Sequence, residues 1–214
     1  PHAGYGYSGQ VAGFGYKLIK QKPYKTVIIL GTSHHKPFSG AAVYAQGVFV
    51  TGLGALEIDD KFIKNIIGKS PEIFSDESAF SGEHSVEVQL PFLQKVLKDS
   101  KIVPIVVGDC SLDTCKKIAL LLKQAIGERK DVLVVVSTDM YHGYDFDEAK
   151  DVDALTLDFM KKMDYAGLYY SLRDEKSQLC GGFAAVIALG LAREMGCKRL
   201  AVLNHTNSAE VFSE

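Results

Sequence analysis

Histidine and cysteine are the side chains here whose placement points to chemistry. The chain has six histidines, and five stand where strands should end or helices begin. They occur in Pro1-His2-Ala3-Gly4-Tyr5, Ser33-His34-His35, Glu83-His84-Ser85-Val86-Glu87 and Asp139-Met140-Tyr141-His142-Gly143. Cys180 opens Cys180-Gly181-Gly182 ahead of an apolar stretch. Imidazole nitrogen and thiolate sulfur suit Zn, Fe or Cu far better than Mg or Ca. Any one of these histidines alone is an ordinary polar residue. Their shared placement makes the case for a metal site.

The elements that must position them follow from periodicity. The β-branched run at 26–31 and the runs at 101–108 and 131–137 predict buried strands, and 43–51 offers further short ones. Residues 60–67 predict a short helix with Phe62, Ile63, Ile66 and Ile67 on one face. The clearest helix is 111–127, with Ser111 to cap it and Gly127 to stop it. Its apolar stripe is Leu112, Cys115, Ile118, Ala119, Leu122 and Ile126. A second amphipathic helix spans 152–163, with Val152, Leu155, Phe159 and Met163 on one face. Residues 183–195 predict a helix buried all round, and 200–203 a final strand. Pro91 fits either the first turn of a helix running to Lys98 or a kink in a longer helix from His84.

Alternating strands and helices without a linker or repeat predict one α/β domain over 1–214, with a mostly buried central sheet flanked by helices. Open sheets of this kind bind ligands at the carboxyl ends of their strands. His34 follows one strand, and Asp139 and His142 follow another, so one edge can gather all three. Cys180 would sit at a helix N-terminus, where the dipole favours a thiolate.

Composition narrows the classes. A hydrophobic content of 47% is enough for a sizeable core without disulfides. A net charge of -2 with scattered Lys and Arg gives no footprint for nucleic acid or an anionic membrane. The apolar runs are far shorter than the ~20 residues a membrane span needs. The four cysteines form no CxxC pair, which favours a reducing, cytoplasmic setting. Cys110 and Cys115 read as core and surface cysteines, and Cys197 as structural.

Five ordered motifs resemble those of one family: Pro1-His2-Ala3-Gly4-Tyr5 with Tyr7-Ser8-Gly9, Leu30-Gly31-Thr32-Ser33-His34-His35, Glu83-His84-Ser85-Val86-Glu87, Ser137-Thr138-Asp139-Met140-Tyr141-His142, and Cys180-Gly181. The chain is thereby similar to the Memo family, also called AmmeMemoRadiSam system protein B. That family resembles the class III extradiol dioxygenases of the LigB type in fold. The resemblance implies a metal pocket at His2, His34 and Cys180. Cys180 stands where the dioxygenases have a carboxylate, and His142 falls at their acid/base position. Asp139 would orient a ligand or take a coordination place, unless it merely caps a loop. Tyr5, His84, Glu87 and Tyr141 would line a substrate pocket. His84 and Glu87, three apart, are expected to share a helical face. Family members also usually carry a strand before the first motif and another after 204–214, so terminal strands are expected to be lacking here.

The implied function is a non-haem, metal-dependent, dioxygenase-like oxidoreductase of unknown substrate. Fe(II) is the first choice of metal, with Zn and Cu as competitors. One alternative is a non-catalytic adaptor that holds a peptide or small-molecule ligand in the same pocket. Another is a zinc hydrolase with His142 as general base.

Overall fold

Val27, Ile28, Ile29 and Leu30 are fully shielded from solvent. A strand buried on both faces reads as a continuous apolar run, and this one lies inside the sheet. In the computed structural model, which describes residues 1–211, the elements run α1 (Tyr5–Ile19), β1 (Thr26–Thr32), β2 (Ala41–Val43), β3 (Val48–Thr51), β4 (Gly54–Glu57), α2 (Asp60–Ile63), β5 (Ile73–Ser75), α3 (Leu90–Val96), β6 (Lys101–Val107), α4 (Leu112–Ile126), β7 (Val132–Val136), α5 (Phe146–Lys161), α6 (Tyr165–Arg173), α7 (Gly182–Glu194) and α8 (Ser208–Val211). The main sheet has the order β5-β2-β6-β1-β7, and β3 and β4 form a separate ribbon. β1 pairs parallel with both β6 and β7, whereas β2 runs antiparallel to β6. α7 packs on β1 and β7, flanked by α4 and α6. This is an α/β domain with a central sheet and flanking helices. No helix among the described residues is long and apolar enough to cross a membrane.

The local signals explain most boundaries. Ser111 accepts a hydrogen bond from the Thr114 N–H and starts α4, and Gly127 ends it with a φ of 55°. Cys115, Ile118, Ala119, Leu122 and Ile126 of the expected stripe are buried. Pro91 lies in the first turn of α3, after a separate 3₁₀ turn at Glu87–Gln89. Proline costs nothing in that place because the first-turn N–H has no partner to lose.

Several expectations need correction. The helix expected over 60–67 is regular only to Ile63, and turn hydrogen bonds carry the chain on to Ile67. α5 begins at Phe146, because Asp145 caps it by accepting from the Asp147 and Glu148 N–H groups. Its Leu155 is exposed, and Asp153 and Thr156 are the buried positions. No strand forms at 200–203. Val202 and Leu203 there are exposed, so no buried face sets a register against β7. Helix α1 lacks a clear sequence signal. It contains Gly6, Gly9, Gly13 and Gly15, each disfavouring helix by about 0.5–1 kcal/mol relative to Ala. Tertiary contacts hold it instead: Tyr16 is buried and stacks on Phe92 with ring centres 4.8 Å apart.

Gly31 controls how loop 83–86 meets the end of β1. A Cβ there would lie 2.5 Å from Ser85 Oγ and 2.9 Å from Val86 Cγ2. Gly31→Ala is therefore expected to lower stability by about 1–3 kcal/mol, the usual cost of overpacking. Urea denaturation checks this, and an unchanged midpoint would show that the loop docks with room to spare.

Candidate metal centre

The parallel pairing of β1 with β7 sets Leu30 opposite Val136, so both strands end at the same edge. The chain after β1 delivers His34 there, and the chain after β7 delivers Ser137 and Asp139. Cys180 arrives just ahead of α7, and Gly181 permits its approach. A Cβ on Gly181 would lie 2.7 Å from the Ser137 carbonyl oxygen and 2.8 Å from Thr138 Cβ. The Asp139 N–H donates to Cys180 Sγ at 3.0 Å, and the Cys180 N–H donates back to the Asp139 carbonyl at 3.2 Å. His2 joins from the start of the chain, its N–H donating to Asp139 Oδ1 at 2.8 Å.

His2, His34 and Cys180 thereby present donor atoms that all lie within 4.8 Å of one another. The rings of His2 and His34 stand nearly perpendicular, at 86° with centres 5.2 Å apart. His2 Nε2 lies 3.1 Å from Cys180 Sγ. Bonds of about 2.1 Å to nitrogen and 2.3 Å to sulfur separate tetrahedral N and S ligands by roughly 3.6 Å. The three residues fit such an ion if the His2–Cys180 pair opens by about half an ångström.

The surroundings tune each donor. Burial pushes the His2 imidazole down to about 4, against the opposing pull of the Asp139 carboxylate. His2 is therefore neutral near pH 7, as a metal ligand must be. Its Nδ1 meets Ser137 Oγ at 2.9 Å. His34 Nδ1 lies 3.0 Å from Glu83 Oε1, which leaves His34 Nε2 for an ion. Burial alone would raise the Glu83 carboxyl. The His34 and Ser85 N–H groups, with the His34 ring, outweigh burial and hold it at about 2. Cys180 corrects an expectation. Its thiol is pushed up, chiefly by burial, despite the N–H groups of Asp139 and Gly181. The helix start does not by itself make a thiolate.

The remaining candidates fall at different distances from this centre. His84 stacks on His34 with ring centres 4.8 Å apart and meets the His2 ring edge-on at 5.3 Å. It lies in a loop before the 3₁₀ turn that carries Glu87, so the two share no helical face. Asp139 Oδ2 is 3.7 Å from His2 Nε2. His142 is exposed, and its Nδ1 lies 2.8 Å from the Met140 carbonyl. Tyr141 and His142 line a cavity of about 1170 Å³ whose wall includes Asp139 but none of His2, His34 and Cys180. The Tyr5 hydroxyl donates to the Val88 carbonyl. Cys110 and Cys115 are both buried, which corrects the expected surface position of Cys115, and Cys197 is exposed. His205 Nε2 lies 2.7 Å from the buried Asp153 carboxylate.

Glu83 and Ser137 stand inside the motifs, which by themselves give neither a role, and Gln89 lies outside them. An acidic residue directly before a histidine motif was the available signal for Glu83. Nothing local marks Gln89.

A family model described as "Memo-like protein" matches residues 1–214. A "MEMO1 family protein" of Caldivirga maquilingensis is 34% identical, covering 98% of this chain and 75% of that one. Relatives of the same name from Aquifex aeolicus and Nitrosopumilus maritimus are 35% and 31% identical, with 100% of this chain covered and 79% and 78% of theirs. The chain belongs to the Memo-like family.

Two outcomes follow from the burial of these groups. In the metal-free protein Cys197 is expected to be alkylated fastest, Cys180 more slowly, and Cys110 and Cys115 last. Mass spectrometry of iodoacetamide-treated protein reads the order, and Cys180 reacting first would contradict the raised thiol. Glu83 has a folded pKa of about 2, below its ordinary 4.5, so its carboxylate contributes stability above that ordinary value. The contribution fades as pH falls from 4.5 towards 2, and Glu83→Gln is expected to flatten that part of the stability–pH curve. Equal slopes in both proteins would contradict it.

Proposed function

We propose that this protein is a metal-dependent oxidoreductase built on a mononuclear centre held by His2, His34 and Cys180. The observation that carries the reading is the convergence of two imidazoles and a thiol within 4.8 Å. Three protein ligands leave coordination places open, as catalytic metals require. Fe(II) is the first choice because the fold family is related to iron dioxygenases, with Zn and Cu as competitors on donor softness. A bound redox metal would supply electron transfer to or from dioxygen and an organic substrate.

The chain's own residues do the rest. Glu83 holds the proton on His34 Nδ1 and so keeps Nε2 available. Asp139 fixes the start of the chain through the His2 N–H. The Met140 carbonyl can only accept, so His142 Nδ1 carries its proton. His142 Nε2 keeps the lone pair and can take a proton from substrate at the cavity wall. A second reading rests on the cavity itself. Its walls include Val136, Met140, Leu189 and Leu200, which suit an apolar ligand or peptide side chain held without turnover.

Elemental analysis of anaerobically purified protein tests the reading. Near-stoichiometric iron is expected in the wild type and in His142→Ala, with loss in His34→Ala and Cys180→Ala. Dioxygen uptake should disappear in His142→Ala while its metal stays. Metal lost from His142→Ala would make His142 a ligand. Zinc throughout, without dioxygen uptake, would favour a hydrolase. Ligand binding that survives complete loss of metal would favour the binding module.

A further inference from the structure

Behind His2 runs a buried line of polar groups that the proposed function does not use. Tyr16, Gln89 and Ser137 are all buried, Ser137 completely. The Tyr16 hydroxyl donates to Gln89 Oε1 at 2.7 Å. Gln89 Nε2 donates to the Pro1 carbonyl at 2.9 Å and to Ser137 Oγ at 2.8 Å. Ser137 Oγ meets His2 Nδ1 at 2.9 Å. A glutamine amide can be turned end for end, but its orientation here is determined by its partners. The Pro1 carbonyl only accepts, so the amide nitrogen must face it. The amide oxygen then faces Tyr16, and the second N–H must point at Ser137.

We infer that Gln89 is a positioning residue for the metal centre, orienting His2 through Ser137 so that Nε2 faces Cys180. The inference rests on His2 being a ligand, as proposed above. Gln89 occupies one lone pair of Ser137 Oγ and leaves the other lone pair and the hydroxyl hydrogen for His2. Ser137 can therefore accept the Nδ1 proton when Nε2 binds an ion, and donate to Nδ1 when it does not. The ring is held in one place through both states. Glu83 at His34 differs, because a carboxylate only accepts and so fixes a single tautomer. His34 is thus set for an ion in advance, whereas His2 adjusts as the ion enters, and Gln89 keeps that adjustment confined to the proton. Gln89 touches neither the ion nor substrate, so its role is to hold another residue.

Cobalt(II) titration of the intact protein tests this, read by the thiolate-to-cobalt absorption of Cys180. Removing an outer-sphere partner of a ligand typically weakens metal affinity by about 10- to 100-fold, and Gln89→Leu leaves that partner, Ser137, without its anchor. Gln89→Leu is expected to show a loss of that size. Tyr16→Phe, which leaves Gln89 anchored on the Pro1 carbonyl, should lose thermal stability yet keep cobalt affinity within about threefold, well short of that outer-sphere loss. In the zinc-loaded wild type, nitrogen-edited NMR should show a slowly exchanging proton on His2 Nδ1, and Gln89→Leu should lose it to solvent exchange. If Gln89→Leu does not fold, Ser137→Ala carries the same expectation. Wild-type affinity in both variants, with binding lost in His2→Ala, would overturn the role of Gln89 alone. Tyr16→Phe losing as much affinity as Gln89→Leu would overturn it too, by showing a general effect of the core. Full binding by His2→Ala would overturn the ligand reading itself, and the positioning role with it.

Discussion

The buried carboxylate of Glu83 is the constraint on which the site depends. Its side chain is wholly shielded from solvent. An ionised carboxylate out of water is costly unless its oxygens are satisfied. Here they accept from the His34 N–H, the Ser85 N–H and the His34 ring. One group therefore ties loop 83–86 to the end of β1 and orients a proposed metal ligand. Gly31 makes room for the tie, and Ser85 completes it by donating to the Thr32 carbonyl and accepting the Thr32 N–H.

The two histidines of the centre are held by opposite means. His34 relies on a charge, whose hydrogen bonds are strong and directional. His2 relies on the neutral Ser137 hydroxyl at its Nδ1, and burial keeps its imidazole uncharged against the nearby Asp139 carboxylate. Cys180 stands between them in character. Burial favours its thiol, and the Asp139 N–H favours its thiolate. An arriving cation would settle that contest towards thiolate, because a coordinating thiol gives up its proton. The geometry fits this view, with sulfur and His2 nitrogen at hydrogen-bond distance.

Much of this was legible in the sequence, for definite physical reasons. The strands β1 and β6 are continuous apolar runs because neighbours bury both faces, whereas β7, expected as a buried strand, is the half-buried edge of the sheet. α4 announced itself by Ser111, Gly127 and a regular stripe. The ends of β1 and β7 place His34 and Asp139 on one edge, as the strand pattern alone implies. Other features had no local signature. α1 is rich in glycine and owes its form to packing on α3. The apolar run at 200–203 resembles a strand in composition but has no buried face to fix it. Gln89 reads as an ordinary polar residue, and only the folded chain brings it to Ser137 and Pro1. The state of Cys180 is not legible from its helix position, because burial outweighs it.

The central claim is that His2, His34 and Cys180 bind one ion together. X-ray absorption at the metal edge, on protein loaded and kept without oxygen, tests it most directly. The account predicts one sulfur near ~2.3 Å and two imidazole nitrogens near ~2.1 Å, with the sulfur shell absent in Cys180→Ala. A shell of nitrogen and oxygen alone, identical in the wild type and Cys180→Ala, would contradict it.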